Sequence, residues 1–141
     1  MFTTKRLTLR AVLDSDYEKL LKLFNTESVM RGGANGYLIP WASGQKEVLE
    51  RLVKSSTMYT IIETREETPL FVGFARLDIT QPKNRDAEFG IMLMPEFWGK
   101  GYGTEVTKFV VNHAFVELGA HRVSLWTFSH NASAMALYKK M

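Results

Sequence analysis

A run of glycines is the feature of this sequence with the clearest chemical meaning. Gly99, Gly101 and Gly103 occupy alternate positions between a strand-like segment and a segment with helical spacing. Glycine tolerates positive φ and lets ligand atoms approach the main chain, so this loop can direct successive N–H groups into one concavity. The N-terminus of the following helix adds partial positive charge, and Lys100 adds a full one. The segment therefore predicts a site for a phosphate group.

The same spacing also fits a plain strand-to-helix turn that binds nothing, and both interpretations stay open at this point. The pattern is not the G-x-G-x-x-G of dinucleotide-binding folds, and Lys100 lacks the following Ser or Thr of a Walker loop. The absence of cysteine excludes thiol nucleophiles, disulfides and cysteine-based zinc sites. His113, His121 and His130 lack metal-ligand spacing, so no metal is expected.

Length and charge narrow the class of protein further. A chain of 141 residues predicts a single domain over residues 1–141. Its net charge of +3 is too small for a dedicated nucleic-acid binder, yet it is compatible with an anionic small ligand. No apolar run approaches the ~18 residues of a membrane span, and the N-terminus lacks the apolar region of a signal peptide. A cytoplasmic protein without membrane or nucleic-acid partners is expected.

The elements that position the glycine loop follow from hydrophobic periodicity. Alternation predicts strands at 7–11, 58–63, 70–79, 87–94 and 123–127, with Phe89, Ile91 and Leu93 on one face of the fourth. Helical spacing predicts helices after caps at Asp14, Ser43 and Asn131, and a helix that ends at Gly119. The order β-α-α-β-β-β-α-β-α predicts a mixed α/β fold with antiparallel middle strands and a parallel, right-handed crossover near its end.

Two segments resemble the GNAT acetyltransferases. Residues 87–90 (AEFG) and 95–105 (PEFWGKGYGTE) are similar to the acetyl-CoA motif Q/R-x-x-G-x-G/A of that family, with Trp98 at the Gln/Arg place. Residues 131–141 (NASAMALYKKM) are similar to the family's N-x-x-A-x-x-L-Y-x-K-x segment. Residues 6–10 (RLTLR) with Asp14 and Asp16 resemble the ribosomal-protein N-acetyltransferase branch. The resemblance covers nearly the whole chain and implies a mostly antiparallel central sheet flanked by helices.

The resemblance implies acetyl-CoA as co-substrate and no metal. The pantetheine arm would pair with the backbone of Met92, Leu93 and Met94. The pyrophosphate would be held by the backbone N–H groups of Trp98, Gly99, Lys100, Gly101, Tyr102, Gly103 and Thr104. Asn131 would hydrogen-bond the arm, although it could equally be a helix cap.

The resemblance also implies the groups that move protons when an amine attacks the thioester. Glu88 would accept the proton of the amine, and the alternative is a structural carboxylate that pairs with an Arg or caps a helix. Tyr138 would protonate the leaving CoA thiolate, with Ser133 as a weaker donor, and the alternative for Tyr138 is a core residue. Glu105 is expected to be a surface charge that complements the helix dipole.

The acceptor would be a primary amine. Short segments at 27–31 and 85–89 are similar to spermidine acetyltransferases and suggest a polyamine, while a protein N-terminus or a small-molecule amine stays open. The loop at 31–41, with Tyr37 and Trp41, and the later Trp126 and Phe128 are candidate pocket walls, with core packing as the alternative. A different function is also compatible with the resemblance, namely a non-catalytic acetyl-CoA-binding module or scaffold of the same fold.

The family normally continues beyond Met141 with Gly-Phe and two further strands. The expectation is therefore a sheet truncated before its last two strands. An uncovered edge exposes unpaired backbone groups that a second copy of the chain could cover. A homodimer is predicted on that ground.

Overall fold

A computed structural model describes residues 1–25, 46–81 and 86–125 of the chain; the predictions for Ser43, for the helix after residue 130 and for the end of the chain lie outside those ranges. Nine helices and strands are described. In chain order they are β1 (Phe2–Thr3), β2 (Leu7–Ala11), α1 (Asp16–Asn25), α2 (Lys46–Ser55), β3 (Met58–Thr64), β4 (Phe71–Gln81), β5 (Asp86–Leu93), α3 (Tyr102–Val116) and β6 (Arg122–Leu125), with a 3₁₀ turn at Pro95–Phe97.

The six described strands form one sheet in the order β1-β2-β3-β4-β5-β6. Neighbouring strands are antiparallel from β1 to β5, whereas β5 and β6 are parallel because α3 carries the chain back between them. The predicted mixed α/β class, the antiparallel middle strands and the parallel crossover are thereby confirmed. Strand β1 is an addition, because two residues are too short to produce an alternating pattern.

Each face of the sheet has its own hydrophobic core. Ile61 and Ile62 are consecutive in β3 and both fully buried, because successive side chains of a strand point to opposite faces. The core on the α3 face includes Leu7, Leu9, Ile62, Val72, Leu77, Phe89, Val106 and Val110. The core on the face of α1 and α2 includes Tyr17, Leu20, Leu23, Leu49, Ile61 and Phe74.

The first helix begins at Asp16, two residues after the predicted cap at Asp14. The Asp16 carboxylate is fully buried and accepts two hydrogen bonds from the Arg10 guanidinium, at 2.7 and 2.8 Å. It also accepts the Leu13 backbone N–H at 2.7 Å. The prediction for Asp14 is wrong, because its carboxylate accepts no hydrogen bond from any described residue. Asp14 lies in the turn before the helix, where only its backbone carbonyl takes part, accepting the Tyr17 N–H at 3.4 Å.

The other end of the fold is closer to expectation. Helix α3 ends at Val116, and its C-cap is Glu117 in a right-handed conformation. Gly119, two residues after that cap, has φ = 67°, and the backbone N–H of Ala120 donates to the Ala114 carbonyl at 2.9 Å, so the predicted left-handed residue follows the cap rather than forming it. Within the described ranges, no helix has the length and apolar character needed to cross a membrane.

Candidate active site

The glycine loop joins the end of β5 to the start of α3 in the predicted way. A 3₁₀ turn follows β5, and the side chain of Phe97 in that turn is buried in the core of the α3 face. Gly99 and Gly101 have φ of 78° and 80°, a conformation that other residues adopt only with strain. Gly101 is the N-cap of α3, so Gly103 lies inside the first helical turn.

The N–H groups available at this loop are fewer than predicted. The backbone N–H of Trp98 donates to the Pro95 carbonyl at 3.0 Å and is therefore already engaged. An α-helix leaves its first N–H groups without intrahelical partners, so those of Tyr102, Gly103 and Thr104 remain available for an anion. Lys100 is exposed beside them, with its ammonium 5.6 Å from the centre of the Phe97 ring.

Strand β5, before the loop, turns only some of its backbone groups away from β4. The Met94 N–H donates to the Val72 carbonyl at 2.8 Å, which fixes the alternation of hydrogen-bonded pairs between β4 and β5. The backbone groups of Met92 and Met94 consequently face β4. Those of Leu93 point the other way, toward the edge where β6 pairs with Asp86–Phe89. Of the three residues predicted to receive a pantetheine arm, Leu93 is the one oriented to do so.

The side chain of Trp98 lies against the edge of β5 to which the backbone groups of Leu93 point. Its indole Nε1 donates a hydrogen bond to the Leu93 carbonyl at 2.9 Å, although 44% of the residue is exposed. This contact links the strand edge to the glycine loop. The sequence analysis assigned a role only to the backbone N–H of Trp98. It missed the side chain, because the sequence does not show which acceptor the indole N–H will meet in the fold.

Gly73 is a further residue that sequence reasoning missed. It lies in β4 opposite Leu93, and a Cβ built on it would lie 2.0 Å from the Met92 carbonyl oxygen. The two strands therefore approach each other too closely here for any side chain. A glycine inside a strand is a known signal for such close approach, but it does not identify the approaching strand.

Glu88 lies on the sheet face that carries α1 and α2. Its neighbours Ala87 and Phe89 belong to the opposite core, while Met92 packs on the α1 and α2 side, so alternation places Glu88 with Met92. It is half-buried, and in register it lies between Asp78 of β4 and Ser124 of β6. Among the described residues, none donates a hydrogen bond to the Glu88 carboxylate. The alternative of an Arg-paired or capping carboxylate is therefore not seen there.

Glu105 differs from its predicted description as a simple surface charge. Its carboxylate accepts hydrogen bonds from the Thr4 hydroxyl, from the Arg6 backbone N–H at 2.9 Å and from the Arg6 Nε at 2.7 Å. Burial alone would raise the pKa of Glu105, but these hydrogen bonds and the charge of Arg6 lower it below the ordinary value. Glu105 therefore fastens the N-terminal strands to the first turn of α3.

Several predicted residues lie outside the described ranges. These are Tyr138, Asn131, Ser133, His130, Trp126, Phe128 and the loop at 31–41. Of the other two histidines, His113 packs against the rings of Phe2 and Phe109, 4.9 and 6.0 Å between centroids. Across the described part of the chain, His, Asp and Glu residues form no group of three or more that could hold a metal ion.

Comparison with known proteins identifies the family. The chain matches the acetyltransferase (GNAT) domain over residues 6–141 and belongs to that family. It is 29% identical to the uncharacterized N-acetyltransferase YoaA of Bacillus subtilis over 140 aligned residues. The alignment covers 98% of this chain and 79% of that protein. Fold and family together define an N-acetyltransferase that depends on acetyl-CoA.

Solved structures share this fold. A domain from Methanocaldococcus jannaschii superposes with a TM-score of 0.82 at 18% identity, over 98% of this chain and 87% of that one. The spermidine N-acetyltransferase of Vibrio cholerae in complex with CoA and spermine superposes with a TM-score of 0.75 at 25% identity, over 95% and 78% of the two chains.

Proposed function

We propose that this chain transfers the acetyl group of acetyl-CoA to a primary amine, with a polyamine as the first candidate acceptor. The observation that carries the proposal is the loop with two left-handed glycines, Gly99 and Gly101, at the N-terminus of α3. This loop lies directly after a strand that presents the backbone of Leu93 at the edge away from β4, where β6, as far as it is described, pairs only with Asp86–Phe89. Anion-binding N–H groups and strand backbone without a partner among the described residues suit the two parts of CoA that such an enzyme must hold.

The diphosphate would accept hydrogen bonds from the N–H groups of Tyr102, Gly103 and Thr104, with the charge of Lys100 nearby. The pantetheine arm would pair with the backbone of Leu93 along the edge of β5 that faces away from β4. Asn131, which lies outside the described residues, would hydrogen-bond the arm. The Leu93 carbonyl already accepts a hydrogen bond from the Trp98 indole, so the Leu93 N–H is the backbone group proposed to donate to the arm.

The chemical step needs one proton acceptor and one proton donor. The neutral amine attacks the thioester carbonyl carbon, a C–N bond forms, the C–S bond breaks and CoA leaves as a thiolate. Glu88 would take the proton that the amine loses, directly or through a water molecule. Tyr138 would give a proton to the CoA thiolate. The half-buried position of Glu88, free of a described ion pair, supports its role as a base.

A polyamine is proposed because the Vibrio cholerae neighbour is a spermidine N-acetyltransferase solved with spermine. The resemblance of the N-terminal segment to the ribosomal-protein branch supports a protein N-terminus as a second acceptor. Cytoplasmic location and a homodimer remain predictions, and sedimentation of the purified chain would test the second.

The proposed function is tested by replacing Glu88 with Gln and measuring CoA release with spermidine and with a short peptide as acceptors. Loss of the base is expected to lower kcat by about 10²- to 10⁴-fold, with little change in the Kd for acetyl-CoA. Glu96→Gln is the control, because Glu96 is an exposed carboxylate in the 3₁₀ turn. Full activity of Glu88→Gln would remove Glu88 from the mechanism.

The alternative of a non-catalytic binding module makes a different prediction in the same assay. The wild-type chain would then bind acetyl-CoA but release no CoA with any amine offered. That outcome would overturn the enzymatic proposal and leave the binding site in place.

A further inference from the structure

The turn between β1 and β2 reaches across the molecule to the glycine loop. Arg6 lies in this turn, far from the loop in sequence, yet its guanidinium Nη1 donates to the Lys100 carbonyl at 2.7 Å. Its Nη2 lies 3.2 Å from the position that a Cβ on Gly101 would take. The same guanidinium lies over the ring of Tyr102, 4.7 Å from its centre. One side chain therefore touches three consecutive residues of the proposed diphosphate loop.

Arg6 also controls the charge at the start of α3. Glu105 lies in the first turn of that helix, and an ionised carboxylate there would repel a diphosphate bound to the same turn. The Arg6 Nε pairs with Glu105 at 2.7 Å, and the Arg6 backbone N–H donates to the other carboxylate oxygen. The negative charge of Glu105 is thereby paired with Arg6, which reduces its repulsion of a diphosphate.

We infer that Arg6 is a positioning residue of the acyl-donor loop. It holds the Lys100 carbonyl and neutralises Glu105, so that the loop has its anion-binding shape before acetyl-CoA arrives. The inference rests on the proposed function, since it concerns the loop that would hold the CoA diphosphate. A planar guanidinium suits this task, because it donates in several fixed directions at once whereas an ammonium acts as a point charge.

The chain supplies a matched control in Arg65. This residue is exposed and supports the same turn, with its Nη1 donating to the carbonyls of Thr4 and Lys5 at 2.9 and 3.4 Å. Among the described residues, Arg65 makes no hydrogen bond, ion pair or ring contact with the glycine loop. Arg65→Met therefore weakens the turn and leaves the glycine loop unchanged. Arg6→Met weakens the turn and also removes the contacts with the loop.

The test measures steady-state constants with two acyl donors, acetyl-CoA and S-acetylpantetheine, of which the second has no diphosphate. Arg6→Met is expected to raise the KM for acetyl-CoA by about tenfold to a hundredfold, the size expected for lost charge-assisted hydrogen bonds. Its KM for S-acetylpantetheine and its KM for the amine should stay near the wild-type values. Arg6→Lys should fall between wild type and Arg6→Met, and Arg65→Met should match wild type.

A double variant separates positioning from simple fold support. In Arg6→Met the Glu105 charge is left facing the diphosphate, so adding Glu105→Gln should restore part of the affinity for acetyl-CoA. If Arg6 only supported the fold, removing its partner as well would make binding worse, and the inference would be wrong.

Other results overturn it too. Equal losses with both acyl donors, or equal losses in Arg6→Met and Arg65→Met, would mean that Arg6 acts through the fold rather than through the loop. A wild-type chain that binds no acetyl-CoA would overturn the proposed function together with this inference. Normal wild-type binding with an unaffected Arg6→Met variant would overturn the inference alone.

Discussion

At the scale of single residues, Arg10 forms an ion pair with Asp16, whose carboxylate is fully buried. Arg10 also contacts Glu63 through its Nε at 2.8 Å, so one guanidinium joins β2, β3 and the start of α1. Burial alone would raise the pKa of Asp16, but the hydrogen bonds from Arg10 and from the Leu13 N–H lower it below its usual value. The carboxylate consequently stays ionised in the folded protein at neutral pH.

This pair predicts an acid-sensitive term in stability. A carboxyl whose folded pKa is lowered stabilises the protein above its unfolded pKa of about 4, and that contribution is lost as pH falls through the folded value. Asp16→Asn should lower the free energy of unfolding at neutral pH by about 3 kcal/mol, because Arg10 loses a buried partner. It should also flatten the dependence of stability on pH below about 4.

Urea denaturation of both forms at neutral and acidic pH measures these effects. Glu18→Gln is the control, since Glu18 is an exposed carboxylate of the same first helical turn and should change stability by less than about 0.5 kcal/mol. An Asp16→Asn protein as stable as wild type at neutral pH would show that the pair does not support α1.

The residue scale is also where sequence reasoning was least complete. Gly99 and Gly101 have the positive φ that glycine was expected to allow, while their part in binding a diphosphate stays a prediction. The roles of Glu105 and Trp98 were missed, since each depends on a partner that only the fold brings near. Glu105 meets Arg6 across the molecule, and Trp98 meets a carbonyl of the preceding strand.

At the scale of elements, the site depends on how closely β4 and β5 approach each other. The strands and their directions were predictable from alternation, as was the end of β5 at Pro95. The register was not, because it depends on pairing across the sheet. That register points the backbone groups of Leu93 away from β4 and those of Met92 and Met94 toward it. It also places Gly73 directly against the β5 backbone.

Gly73→Ala should therefore disturb the element that carries the site. A methyl group 2.0 Å from the Met92 carbonyl oxygen cannot be accommodated, so β4 and β5 must move apart at an expected cost of about 3 kcal/mol. Chemical denaturation measures the loss, and hydrogen exchange of the β4 and β5 amides should locate it.

Gly99→Ala provides the comparison for that variant. Gly99 has positive φ, but a Cβ there would meet no heavy atom within 4 Å, so only backbone strain of about 1 kcal/mol is expected. If Gly73→Ala were no more harmful than Gly99→Ala, the close approach of the two strands would not matter for stability.

At the scale of the whole molecule, the sheet separates two tasks. The core on the α3 face supports the glycine loop through Phe97 and Val106, while the opposite face carries α1, α2 and the candidate base Glu88. The fold class was predictable because strand and helix periods differ clearly along the chain. The contact between the N-terminal turn and the glycine loop could not be predicted, because no local sequence pattern indicates a contact between residues so far apart in the chain.

The most direct test of the central claim is a calorimetric titration of the full chain with acetyl-CoA. We expect one site per chain with a Kd on the order of micromolar, a binding free energy of about −8 kcal/mol. Competition by CoA should remove that heat, because the loop recognises the part shared by both molecules. Binding no tighter than about millimolar, equivalent to roughly −4 kcal/mol, would contradict an acyl-donor site built from the glycine loop and the edge of β5.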